Sequence, residues 1–346
     1  MIRISGLRQR SRKGAECVAV KGMNTPTQIE TTPPVPAIAN LAGVDGCTAV
    51  VNGIRWHYLH AGSGPALLLV HGFMGYSFSW RFVMGELAQH FSVYAVDLPG
   101  CGFSERSASL PGTLASDAEG LLNFMDYLGI EQFDVLGTSR GGGLAIALAG
   151  LMAEHGMLHR IRRLVLSAPI NPWSKLGLLR MRMMATRVGR IYVVDLASRL
   201  RFILRRYFVQ LYGDPASIPP GSFLGYQAGL EPAGSFEHLW NITRSWVADL
   251  KRVETVLPLV ESVPALLLWG EWDRAVHRNS ASELHRRWKN SVVVIMKRIG
   301  HMPYEEVSEE FNRIVLDFLL RDTPATPLQS EAQSAMAPAA AEPVRA

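Results

Sequence analysis

The stretch FDVLGTSRGGGLAIALAG, residues 133–150, runs from an apolar, β-prone segment through Gly137-Thr138-Ser139-Arg140-Gly141 into an apolar, alanine-rich segment. This pattern predicts a buried strand, a tight turn and a helix in immediate succession. Ser139 would occupy the turn, and the glycines two before and two after it remove side chains that would collide with the strand and the helix. The hydroxyl is thereby lifted out at the carboxyl edge of a sheet, where ligands bind in open α/β folds. The helix start behind it offers free N–H groups and partial positive charge to a developing oxyanion.

Working outward, short apolar runs alternate with longer helical stretches, the signature of a parallel sheet covered on both faces. TAVV and IRWHYLH flank Asn52-Gly53, a hairpin signal because both turn positions must tolerate positive φ. Six further runs read as buried strands: residues 66–71, 92–97, 133–137, 163–168, 265–270 and 291–296. The expectation is an α/β, mostly parallel eight-stranded sheet. Residues 169–264 far exceed the dozen or so that a parallel crossover needs, roughly, so an inserted helical cap is expected over the sheet. The predicted organisation is a core at 43–168, a cap at 169–250 and a second core part at 251–320.

A serine at its ordinary pKa is a poor nucleophile and needs a base, itself oriented by a carboxylate. LLLWGEWD ends one strand and delivers Glu271 and Asp273, while RIGHMPYEE follows the last strand and places His301 in a loop before the final helix. His277 lies near Asp273 in sequence and reads as a surface residue. His71 reads as a group bracing its own loop, and Asp97 as one ordering its turn.

These motifs together resemble the α/β-hydrolase superfamily. The resemblance rests on His71-Gly72-Phe73-Met74 after the third expected strand, Asp97 to Ser104 (DLPGCGFS) after the fourth, Gly137 to Gly141 after the fifth, Asp273 after the seventh and Gly300-His301 after the eighth. It covers most of the chain and names no substrate. It implies a nucleophile–acid–base order of Ser139, Asp273 and His301, with Asp273 selected over Glu271. It also implies an oxyanion hole from the backbone N–H groups of Phe73 and Arg140, ahead of Met74, and an acyl-serine mechanism that needs no cofactor and no metal. Dehalogenases and epoxide hydrolases of this fold carry aspartate at the turn, so Ser139 points away from them. What remains is a serine hydrolase cleaving a carboxylic ester or related acyl bond. A carbon–carbon bond hydrolase or an acyltransferase on the same triad is the alternative, and a non-catalytic ligand binder the reading from another class.

Composition bounds the partners. The 346 residues are 48% hydrophobic with a net charge of +5, too modest to argue for nucleic acid. The first 22 residues hold six cations against Glu16. Residues 1–42 accordingly read as a disordered basic leader, with Met23 as a second possible start and an organelle transit peptide as the other reading. Residues 321–346 read as an Ala/Pro-rich flexible tail. Three scattered cysteines argue against a disulfide framework and a zinc site. Together with the absence of a run of about 18 apolar residues, they suggest a cytoplasmic setting. Within the cap, Leu196, Leu200, Ile203, Leu204 and Tyr207 form one helical stripe, and residues 175–208 carry nine cations against Asp195. This basicity fits a solvated lid, attraction of an anionic acyl substrate, or peripheral contact with an anionic membrane. Arg140, beside the serine, could clamp a substrate carboxylate if its guanidinium entered the cavity.

Overall fold

The computed structural model describes residues 16–18, 43–107 and 109–321. The strands are β1 (Glu16–Val18), β2 (Val44–Val51), β3 (Ile54–Ala61), β4 (Ala66–Val70), β5 (Ser92–Val96), β6 (Phe133–Thr138), β7 (Ile161–Ser167), β8 (Ala265–Gly270) and β9 (Ser291–Met296). They form one sheet in the order β1-β2-β3-β5-β4-β6-β7-β8-β9. Pairings from β1 to β5 are antiparallel and those from β5 across to β9 are parallel. All eight expected strands are present, and the hairpin turn has Asn52 and Gly53 at φ 51° and 80° as its signal required.

β1 is an addition. It falls within residues 1–42, read as leader, and pairs Glu16, Cys17 and Val18 with Thr48, Cys47 and Gly46. Three residues give no periodicity to read. The rest of that leader, and the tail beyond residue 321, lie outside the described residues. Cys47 is disulfide-bonded, against the expectation of no cystine, whereas Cys101 is a free, buried thiol.

Alternation within the parallel strands builds two cores. Leu68 and Val70 of β4, with Val135 of β6, face the helices Leu114–Tyr127 and Arg140–Glu154. Leu67 and Leu69, with Leu136, face Trp80 and the terminal helix Ser308–Leu319 through Phe311 and Val315. Both sheet faces are thus sealed, and the residues free for chemistry are those at the strand ends.

Between β7 and β8 the insertion forms the helices Lys175–Met184, Arg201–Val209 and Ser222–Ala228 and the long helix Ser235–Val260. That last helix runs without interruption through the expected boundary at 250/251. Its beginning belongs to the cap and its end packs Val253, Val256 and Val260 into the core. The expected stripe is split: Leu196 closes the π-helical segment Ile191–Leu196 and is exposed, while Leu204 and Tyr207 belong to the next helix and turn inward. Among the described residues no helix is long and apolar enough to cross a membrane.

His238, on the long helix, is buried and its Nδ1 has no hydrogen-bond partner. Burial, then the nearby Arg140 and Arg106, depress its pKa to about 4. The folded state therefore binds fewer protons than the unfolded state between about pH 6.5 and pH 4, so this contribution is intact above pH 6.5 and is lost as pH falls to 4. Asp134 acts oppositely, because burial lifts its carboxyl to about 6 despite Arg162. The comparison that isolates His238 is therefore with His238→Gln. Between pH 7 and pH 4, wild type is expected to lose about 3 kcal/mol more stability than the variant in denaturant titrations, and parallel losses would refute the assignment.

Candidate active site

Ser139 sits between β6 and the helix Arg140–Glu154 with φ 52° and ψ −118°, a conformation few side-chain-bearing residues adopt. The strain is held from three directions. Ser139 N–H donates to Ser167 O at 2.8 Å, and its carbonyl accepts from Ile170 N at 3.0 Å and Gly143 N at 3.1 Å. The flanking glycines answer a close approach: a Cβ on Gly137 would enter the carbonyl of Gly141, and one on Gly141 would enter the carbonyls of Val70 and His71.

Asp273 follows β8 and His301 follows β9. His301 Nδ1 and Asp273 Oδ2 are 2.7 Å apart, and both side chains are buried. The other carboxylate oxygen accepts from the N–H groups of Ala275 at 2.8 Å and Val276 at 2.9 Å. With its Nδ1–H committed to Asp273, the imidazole has Nε2 left as a proton acceptor. Ser139 and His301 line one cavity of about 70 Å³, under Leu204, Tyr207, Phe223 and Tyr226 of the cap. No direct hydrogen bond joins the two side chains among the described residues, a separation common where a substrate has yet to complete the alignment.

Phe73 also lines this cavity. Neither its N–H nor that of Arg140 donates to any acceptor among the described residues, so two amides stand free near the serine. Arg140 is the first residue of its helix, where the N–H has no intrahelical partner.

The rival residues are engaged elsewhere. Glu271 accepts from Arg278 and from Arg298 N. His277 is exposed and accepts from Asn279 N at 3.3 Å. His71 accepts from Leu98 N and so donates from Nδ1 to Gly72 O at 2.9 Å, bracing the loop that carries Phe73. Asp97 accepts from the N–H groups of Ser77 and Phe103 and from His57.

The Arg140 clamp is corrected. Its guanidinium is buried away from the cavity, donating to Asp117 at 2.7 Å and to Gly112 O at 2.9 Å. Burial opposes its charge, but Asp117 and Asp249 more than compensate and raise its pKa. Asp117 lies 23 positions away on another helix, a pairing that no local pattern announces.

Sequence reasoning also missed the group that joins cap and core. Glu305, four residues after His301, is buried and receives both Arg81 terminal nitrogens, at 2.7 and 2.8 Å. Tyr212 and Tyr226 of the cap donate to the same carboxylate. Burial and that carboxylate hold both phenols far above their ordinary pKa, hence protonated. Glu306 accepts from Gly213 N of the cap and from Gly300 N, next to His301. The adjacent carboxylates in PYEE were the only signal available.

A sequence model of the alpha/beta hydrolase family matches residues 67–314. The chain is similar to the 2-hydroxy-6-oxo-2,4-heptadienoate hydrolase of Pseudomonas putida, 27% identical over 299 residues, or 82% of this chain and 99% of that protein. It is also similar to the 2-hydroxymuconate semialdehyde hydrolase of a Pseudomonas species, 28% identical over 293 residues, or 79% and 93%. Among solved structures it resembles a membrane phospholipase A, a bacterial virulence factor, with a TM-score of 0.67 and 26% identity over 80% of this chain and 86% of that one.

Arg140→Gln breaks a buried ion pair and is expected to cost about 3 kcal/mol of stability, read from the denaturant midpoint. The ratio of rates on anionic and neutral esters should be unchanged in the folded variant. A preference for anionic esters that disappears with Arg140 would restore the clamp.

Proposed function

Because the chain belongs to the alpha/beta hydrolase family, we propose that it is a serine hydrolase that cleaves a carboxylic ester with an apolar acyl chain through an acyl-serine intermediate. The observation that carries this reading is the convergence, on one cavity, of the strained Ser139, the Asp273-bound His301 and two unengaged amides. His301 Nε2 takes the Ser139 proton as Oγ attacks the carbonyl carbon, and Asp273 stabilises the imidazolium that results. The tetrahedral oxyanion is held by the N–H groups of Phe73 and Arg140; loss of one such donor typically costs about 100-fold or more in rate. The imidazolium then protonates the leaving alkoxide. Water, deprotonated by His301, releases the acid and restores the serine.

The substrate class follows from the walls. Phe73, Leu204, Phe208, Leu211, Phe223 and Leu230 line the cavity that Ser139 shares with His301, which has no other charged wall residue among the described residues; Arg180 lines the smaller pocket on the serine's other side. An apolar acyl group matches such walls. The two relatives favour a second reading, hydrolysis of a carbon–carbon bond, since both are named for such ring-cleavage products. A dienoate carries a carboxylate, and Arg140, the residue expected to meet it, is turned away.

A fluorophosphonate probe should label the wild type and leave Ser139→Ala unlabelled, with Asp273→Asn reacting about 10⁴-fold more slowly. Labelling that persists in Ser139→Ala would end the reading. Across p-nitrophenyl esters, kcat/KM should climb with chain length by up to about fourfold per methylene, the value of burying one CH₂. A flat series, together with turnover of a vinylogous diketone acid, would favour carbon–carbon cleavage.

A further inference from the structure

The cap holds a second, larger cavity of about 730 Å³ that opens to solvent. Phe73, Met74, Leu204 and Tyr207 line both this chamber and the Ser139 cavity, so the two are neighbours across a shared wall. At the other end its lining includes Met183, Val188, Tyr192 and Phe202, which are 59%, 77%, 46% and 67% exposed. Leu179 and Ile191, on the same cap segment, are exposed as well. Large apolar side chains on a soluble surface are ordinarily scattered, and a group of them marks an interaction site.

The charge around them states what the site meets. Residues 175–208 hold nine cations and a single acid, Asp195, which is already paired with Arg190 at 3.8 Å. Arg182, Arg187, Arg199 and Arg205 are exposed and form no ion pair among the described residues, while Arg180 and Arg206 line the chamber itself. A lid that buried its apolar side on the core would have no reason to expose those at its mouth. Apolar side chains within a collar of unpaired guanidinium groups suit the boundary of a bilayer, where the former enter the acyl layer and the latter meet lipid phosphates. Most of the chamber's lining is apolar, which suits an acyl chain drawn from that bilayer.

We propose that the mouth of the cap docks on a membrane surface rich in anionic phospholipid, and that the chamber behind it conducts an acyl chain from the bilayer to Ser139. The conduction half rests on the acyl-serine reading above. Docking is measurable without turnover.

The test is co-sedimentation of the full chain with phosphatidylcholine vesicles and with mixed phosphatidylcholine–phosphatidylglycerol vesicles. Binding is expected to the mixed vesicles, to weaken as salt is raised, and to be equal for Ser139→Ala. Arg187→Gln and Arg205→Gln should each lower the partition coefficient about fivefold, and the double variant Leu179→Glu/Ile191→Glu should lower it further. The two arginine variants and the double glutamate variant should hydrolyse a soluble short-chain ester as wild type does, which shows that they fold. Failure to bind the mixed vesicles, equal binding to phosphatidylcholine alone, or full binding by the double glutamate variant would overturn the proposal. In the first case the basic collar would be left to a soluble anionic substrate. Vesicle binding by a chain whose Ser139→Ala variant remains an active esterase would support the docking surface and overturn the acyl-serine reading together with the conduction half that rests on it.

Discussion

The backbone at Ser139 is the constraint on which the site depends. A residue with φ 52° between a strand and a helix is unfavourable by itself, on the order of 1–3 kcal/mol, and persists only where its surroundings leave no alternative. Here the surroundings are the parallel sheet, through Ser167 O, and the segment after β7, through Ile170 N. The same turn fixes the Arg140 N–H at the head of its helix and brings Gly141 against the carbonyls of Val70 and His71, whose strand leads into the Phe73 loop. Ser139 and both candidate donors are therefore set by one packing arrangement, and its rigidity belongs to the sheet.

His301 is positioned differently, by cap and core together. His301 N donates to Leu211 O of the cap, and Glu306 bridges Gly213 of the cap to Gly300. Glu305 gathers Arg81 of the core with Tyr212 and Tyr226 of the cap. Removing one partner from such a buried cluster leaves an uncompensated charge or donor, which costs more than the pair contributes. A cap anchored this way beside His301 is a fixed wall of the site at that end.

Most of the architecture was legible because it is written in local patterns. The six apolar runs became parallel strands, since a buried parallel strand must be apolar on both faces, and the two segments flanking Asn52-Gly53 became a tight antiparallel hairpin. The turn at Ser139 was legible because glycine spacing reports steric room directly. What escaped depends on partners far apart in sequence. Arg140 was read as a possible clamp because neither Gly112 nor Asp117 is near it in the chain, and Glu305 gave no sign that Arg81, 224 positions earlier, would seek it. β1 is too short to show a period, and the cystine at Cys47 was hidden by an odd cysteine count. The helix Ser235–Val260 hid the cap boundary, because one amphipathic stripe serves the cap and then the core.

As proposed, Ser139 and His301 form one device for moving a proton, although they follow strands three places apart in the sheet and share only a cavity wall in this structure. Its most direct test is kcat on a single ester for Ser139→Ala, His301→Ala and the protein carrying both. A cooperating pair predicts that the double variant is no slower than the slower single variant, since either loss already disables the unit. Losses that multiply in the double variant would show two groups acting independently and would contradict the account.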